Sequence, residues 1–311
     1  MYTYGNKTIY HLGEKGSGTH NTCEVQIYDD LKKSFLNKRN ATGQKILYTD
    51  VNFPASERSI AQDVKAFNEY FNQIIPDITD PVSMIKWKRP FHVFRNLKPK
   101  FIVDGATRSD INQGYLADCW MLASMSTLPF HERCFYTVVS TDNQDFEDPD
   151  YCGIFHFRIW HFGNWIDVVI DDFLPFIEHN GEYRLLFNKS SPVHELWSPL
   201  LEKAYAKLKG NYYDALALGY GIESLVDFTG GISYLINLKV HRSKEDLQKI
   251  LFKMMAKNHK ARSMIAAAIA SEIRCHLRSI TNVVELSPPD IKQVTRLIRI
   301  RDPYGLWTKN S

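Results

Sequence analysis

Gln113-Gly-Tyr-Leu-Ala-Asp-Cys-Trp120 is the stretch on which the reading of this chain turns. After it, Met121-Leu-Ala-Ser-Met-Ser-Thr-Leu128 supplies good helix formers up to Pro129. The pattern predicts a helix with Asp118 as its N-cap and Cys119 in its first turn. A thiol there lies near the positive end of the helix dipole and several unpaired N–H groups, which favour the nucleophilic thiolate. Gln113 stands six residues upstream in a Gly-containing loop that can fold back on the helix start. Its side-chain amide is the expected donor to an oxyanion, a contact worth about 2.7–4 kcal/mol of barrier. Trp120 is expected to wall the site against water.

Working outward, Asp104-Gly-Ala-Thr-Arg-Ser-Asp-Ile-Asn-Gln-Gly is loop chemistry leading into that helix. Residues 1 to about 42, rich in Gly, Asn, Lys and Thr, read as a flexible or variable leader. Short extended pieces separated by prolines follow from Ile46. Ile154-Phe-His-Phe-Arg-Ile-Trp160 alternates as a strand does, Gly163-Asn164 supplies turn residues, and Trp165-Ile-Asp-Val-Val-Ile170 returns, which predicts a hairpin. Residues 195–209 form a helical stripe through Leu196, Trp197, Leu200, Leu201, Ala204, Tyr205 and Leu208, with Gly210 as the cap. Asp227-Phe-Thr-Gly-Gly231 reads as a domain junction. Beyond it, a charged-faced helix is predicted from 243 to about 258, and strands over 280–286 and 294–301. The apolar run 264–270 reads as about two helical turns of a globular core. The expected fold is α+β in two lobes, one helix-rich and one mainly strand.

Composition excludes several classes. A hydrophobic fraction of 44% supports a real core, and a net charge of +3 on 311 residues leaves no basic footprint for nucleic acid. No run reaches the ~18 apolar residues of a membrane span, and the N-terminus carries no apolar signal core. The five cysteines, at 23, 119, 134, 152 and 275, are an odd number without a CxxC pair. They read as reduced thiols of a cytoplasmic protein. Zinc is disfavoured because no ligand pairs stand at CxxC or HxxxH spacing.

A thiol nucleophile requires an imidazole base and a polar group to hold that ring. With eleven histidines, spacing alone does not choose. Here the resemblance to a family decides. Gln113-Gly-Tyr-Leu-Ala-Asp-Cys-Trp120 resembles the calpain nucleophile motif, with Ala117 where that family has glycine. Phe101-Ile-Val-Asp-Gly-Ala-Thr-Arg108, Gly153-Ile-Phe-His-Phe157, Asp167-Val-Val-Ile-Asp-Asp-Phe-Leu-Pro175, Glu202-Lys-Ala-Tyr-Ala-Lys207 and Asp227-Phe-Thr-Gly-Gly231 resemble it in the same order, from about residue 46 to 305.

The resemblance implies a papain-like cysteine protease fold. It comprises a variable leader (1–45), a first lobe carrying the cysteine (46–228) and a second lobe carrying the histidine (229–311), shortened at its C-terminal end. It selects His276 as the base, within Cys275-His-Leu-Arg278, where calpains have Gly-His-Ala-Tyr. It places Asp302, in Arg301-Asp-Pro-Tyr-Gly305, where calpains have the asparagine of Arg-Asn-Pro-Trp-Gly, so Tyr304 stands at the shielding tryptophan. Calcium (Ca2+) is the implied cofactor, with Val103 and Gly105 as carbonyl donors and Asp110 and Glu195 as carboxylate donors. Arg108 matches the arginine that bridges the lobes. The second calcium loop is short, and no EF-hand loop occurs for pairing with a small subunit. The implied function is calcium-dependent limited proteolysis of intracellular protein substrates. The alternative is a weakly active or inactive relative serving as a binding or regulatory partner, or a shortened isoform.

Overall fold

A computed structural model describes residues 10–11, 28–43, 46–74, 81–94, 97–142, 144–179, 181–238, 245–270, 275–286 and 294–304. The first part contains β1 (Tyr10–His11), α1 (Tyr28–Thr42), α2 (Val64–Ile74), β2 (Ile85–Lys88), α3 (Pro90–Val93), α4 (Cys119–Met125) and α5 (Glu132–Val138). It continues through β3 (Ile154–His161), β4 (Asn164–Asp171), β5 (Leu174–His179), β6 (Glu182–Leu185), α6 (Trp197–Lys209) and α7 (Gly221–Asp227). The second part holds α8 (Glu245–Lys260), β7 (Ala266–Ala270), β8 (Cys275–Leu286) and β9 (Thr295–Arg301). Among the described residues three antiparallel sheets form, in the orders β1-β4-β3, β2-β5-β6 and β7-β8-β9. The mixed α+β architecture agrees with a papain-like fold.

The hairpin forms with Ile154 opposite Asp171 and His161 opposite Asn164. Its turn is therefore Phe162-Gly163, one residue earlier than the sequence suggests. Both residues have positive φ (45° and 86°), the backbone that a two-residue hairpin loop requires. Phe155, Phe157 and Ile159 are fully buried on one face. Against them lies α6, which is buried on every side rather than along one stripe. Its buried lysines are accordingly paired. Lys203 Nζ bonds Asp171 and also the Phe173 carbonyl; Lys207 Nζ meets Asp50 Oδ2 at 2.6 Å and the Val169 carbonyl at 2.6 Å. Beyond its last turn, Asn211 takes the left-handed conformation (φ 64°) that was expected of Gly210. Gly210 instead lies where an added Cβ would meet Ala215 and Tyr212.

Two other expectations change. The described part of the leader includes α1, whose Tyr28, Leu31, Lys32, Phe35 and Leu36 recur at helical spacing. Tyr28 is buried and stacks on His156 at 3.9 Å. A mean composition dominated by polar residues hid this stripe. The run read as helical at 264–270 is the strand β7, paired with β8 from Ala266↔Ser279 to Ala270↔Cys275. The pairing overrides the helix preference of alanine.

Candidate active site

Four contacts fix α4. The Trp120 indole N–H donates to the Leu216 carbonyl at 2.8 Å and its ring lies against Tyr205. Ser224 Oγ, on α7, donates to Ser124 Oγ at 2.7 Å. Ser126 Oγ donates to Ser279 Oγ of β8 at 2.9 Å, with both serines fully buried. Trp120 thus braces the helix from the core instead of walling the cleft. Gly219 permits that packing, since a Cβ there would stand 2.2 Å from the indole. Gly219→Ala is expected to lower stability by about 1–3 kcal/mol, read as a reduced urea midpoint with unchanged slope.

Cys119 opens α4 and is buried, with 8% of its surface exposed. Asp118 occupies the N-cap position, yet its side chain makes no capping hydrogen bond. It points inward, is fully buried, and burial pushes its carboxyl up to about 7. Gln113 is buried too, and its Nε2 donates to the Leu116 carbonyl at 2.7 Å and to Asp118 Oδ1 at 3.4 Å. The amide expected to face an oxyanion is thus engaged within its own loop.

On the other side, His276 Nε2 lies 2.8 Å from Asp302 Oδ1. A carboxylate only accepts, so Nε2 carries the proton and Nδ1 is left as the basic atom. Nδ1 is buried and has no hydrogen-bond partner among the described residues. The Tyr304 ring stacks on the imidazole, with centroids 4.4 Å apart, while remaining 63% exposed. Arg278 Nε donates to Asp302 Oδ2 at 2.8 Å. Burial raises the Asp302 carboxyl, but the Tyr304 N–H, His276 and Arg278 outweigh it and hold the group below its ordinary value. Leu277 packs against Gly221. The Cys275 side chain lies outside the described residues.

The two sides are joined by one backbone hydrogen bond and one from a guanidinium. The Gln113 N–H donates to the Pro303 carbonyl at 2.9 Å, and Arg301 donates to the Ile111 carbonyl. The loop before the cysteine and the segment that holds the histidine are therefore one bonded unit. Sequence reasoning selected Cys119, Gln113, His276 and Asp302, but not Arg278 as a partner of Asp302. The opposite charges two residues from His276 and in the Asp-Pro turn were the available signal.

Of the four residues expected at a cation, Val103, Asp110 and Glu195 stand beside one another. Glu195 Oε1 accepts the Val103 N–H at 2.7 Å, whereas Glu195 Oε2 is buried without a hydrogen-bond partner among the described residues. Burial, with Asp110 adding repulsion, pushes the Glu195 carboxyl up to about 8. Asp110 accepts from Thr107 in a capping box, and Asp104 and Gly105 adopt positive φ (52° and 86°). An orphaned carboxylate oxygen beside a second carboxylate and a sharply turned loop fits a hard cation with oxygen ligands. Among the described residues no group of three or more His, Cys, Asp or Glu side chains converges on such a position, so carbonyls would complete the set. Arg108 lies over the Phe130 ring at 5.7 Å.

Comparisons with known proteins bear on the chain as a whole. A family model described as calpain family cysteine protease matches residues 48–310. Calpain-8 of Rattus norvegicus is 39% identical over 301 residues, covering 92% of this chain and 39% of its own length. Calpain-A of Drosophila melanogaster is 36% identical over 313 residues, covering 96% and 34%. The calpain-1 catalytic subunit of Rattus norvegicus is 39% identical over 319 residues, covering 96% and 40%. The chain spans about two-fifths of the length of the curated relatives it matches. With the motif, the fold and the relatives in agreement, this chain belongs to the calpain family of cysteine proteases.

Proposed function

We propose that the chain is a calcium-dependent cysteine endopeptidase that cuts extended segments of cytoplasmic proteins. The observation that carries the reading is His276, held at Nε2 by Asp302 and leaving a buried, unpartnered Nδ1. In the reaction, Nδ1 takes the Cys119 proton, and the thiolate attacks the scissile carbonyl carbon. Charge builds on the carbonyl oxygen, where the backbone N–H of the helix start and Gln113 Nε2 donate. Gln113 exchanges its bond to Leu116 for that contact. The protonated imidazole then gives its proton to the departing amine, which leaves an acyl-thioester on Cys119. Water, deprotonated by the same nitrogen, hydrolyses it.

Val103, Gly105, Asp110 and Glu195 are the residues that would hold calcium. Bound there, the cation would supply the positive charge that keeps two adjacent buried carboxylates ionised. Glu195→Gln removes half of that negative charge, and calcium affinity measured by isothermal titration is expected to fall at least about tenfold. Equal affinities in the variant and the parent chain would reject this site.

The cytoplasmic assignment draws on cysteine usage: no disulfide joins Cys119, Cys134 or Cys152. Among the described residues no helix is long and apolar enough to cross a membrane. A second reading, a calpain relative that binds without cutting, draws on the inward commitment of Gln113. An epoxysuccinyl inhibitor separates the two. Calcium-requiring labelling of Cys119 supports the peptidase, and no labelling at any calcium concentration supports the binding protein.

A further inference from the structure

Beneath the nucleophile lies a pair of carboxyl groups that the chemistry above leaves unused. Asp118 precedes Cys119, and Glu202 projects from the middle of α6; their residues are 0% and 1% exposed. Both Glu202 oxygens accept the Asn188 N–H, at 3.1 Å each. Asp118 Oδ1 accepts Gln113 Nε2, while Asp118 Oδ2 is buried and finds no donor among the described residues if every carboxyl is ionised. Yet the two side chains lie within hydrogen-bond contact of each other. The neighbouring ammonium groups are committed elsewhere, Lys203 to Asp171 and Lys207 to Asp50. Two ionised carboxylates in contact, without water or a cation, are strongly unfavourable, and a hydrogen bond between carboxyls requires that one be an acid.

We propose that Glu202 keeps a proton through the neutral range, donates it in a hydrogen bond to Asp118 Oδ2, and so acts as a positioning residue for the Gln113-Asp118-Cys119 segment. The proposal deepens the peptidase reading and rests on it for its catalytic consequence. A neutral Glu202 limits the charge beside the thiol to that of Asp118 alone. It also keeps Asp118 Oδ1 turned toward Gln113, whose release toward the cleft the reaction requires. Burial raises both carboxyls above their ordinary values, so the pair holds a proton where free carboxyls do not. Cys119 adjoins Asp118 in the chain, and Tyr213, kept neutral by burial, lies near enough to sense both carboxyls.

Two measurements need no turnover. Infrared spectra of the full chain near pH ~8, where ordinary carboxyls are ionised, are expected to show a protonated-carboxyl C=O band. Part of that band should be lost in Glu202→Gln and kept in Glu147→Gln, a change at an exposed surface glutamate. Alkylation of Cys119 by iodoacetamide across pH is expected to keep its midpoint in Glu202→Gln, because a neutral amide replaces a neutral acid of the same shape. Glu202→Ala removes the donor to Asp118. Alkylation should then slow and kcat for peptide cleavage should fall about 10–100-fold with little change in KM, with Glu202→Gln restoring both. A band unaffected by Glu202→Gln, or an alkylation midpoint moved by about a full unit or more, overturns the proposal. If Glu202→Ala fails to fold, the band and the Glu202→Gln profile decide. If the parent chain cleaves nothing while the band and profile behave as stated, the peptidase reading fails and the shared proton stands.

Discussion

Cys119→Ala and His276→Ala are each expected to lower kcat/KM for a fluorogenic peptide by roughly 10⁵–10⁶-fold, and the double variant is expected to lose no more than either alone. Such non-additivity follows from a single proton. Without His276 the thiol at the head of α4 has no acceptor, and the amine leaving group has no donor. Without Cys119 the Nδ1 base has nothing to activate. Neither residue props up the fold. His276 is partly exposed at the start of β8, and Cys119 adds only a small thiol to a helix already fixed by Trp120, Ser124 and Ser126. Circular dichroism and thermal midpoints should therefore match the parent chain. Losses that simply add, or a His276→Ala variant with a tenth or more of parental activity, would show that another group takes the proton.

The sequence carried the helix start at Cys119 and the hairpin at 154–171 because both are local. A cap position, a run of helix formers and strict alternation are written within a dozen residues. The stretches that misled are those whose structure depends on distant partners. Ala266–Ala270 becomes a strand because β8 lies beside it. Asp118 has the composition of a cap, but the backbone presents it to Glu202, a partner 84 positions away in sequence (202 − 118). α6 shows an apolar stripe, yet the cluster around it also buries Glu202, Lys203 and Lys207, and only the fold reveals Asp171 and Asp50 opposite the lysines. The residues of the candidate site were named from the sequence, whereas the wiring through Arg278, the Gln113–Pro303 backbone bond and the orphaned Glu195 oxygen was not.

That wiring yields the other large effect. The calpain resemblance has asparagine and tyrosine where this chain has Asp302 and Arg278, and the structure joins the two replacements at 2.8 Å. Asp302→Ala removes the acceptor that sets the imidazole tautomer, and kcat is expected to fall by about 10²–10⁴-fold. Asp302→Asn is not a mild change here. Its oxygen can still accept from His276 Nε2, but its NH2 group then faces the Arg278 donor. Turning the amide to satisfy Arg278 presents a donor to Nε2–H instead. Asp302→Asn alone should therefore behave nearly as badly as Asp302→Ala. Asp302→Asn combined with Arg278→Tyr, which withdraws the competing donor, should recover about tenfold or more of the loss, a coupling of roughly 1.4 kcal/mol or above.

The pH profile supplies an independent check. The Asp302 carboxyl lies below its ordinary value, so it is ionised throughout the working range. Its contribution to stability is present above the unfolded carboxylate pKa and is lost only as pH falls through the lower folded value. The acid limb of kcat/KM should then be the same in the parent and in the double variant. Independent, additive losses, or an acid limb that moves in the double variant, would mean that Arg278 and Asp302 do not act together on His276.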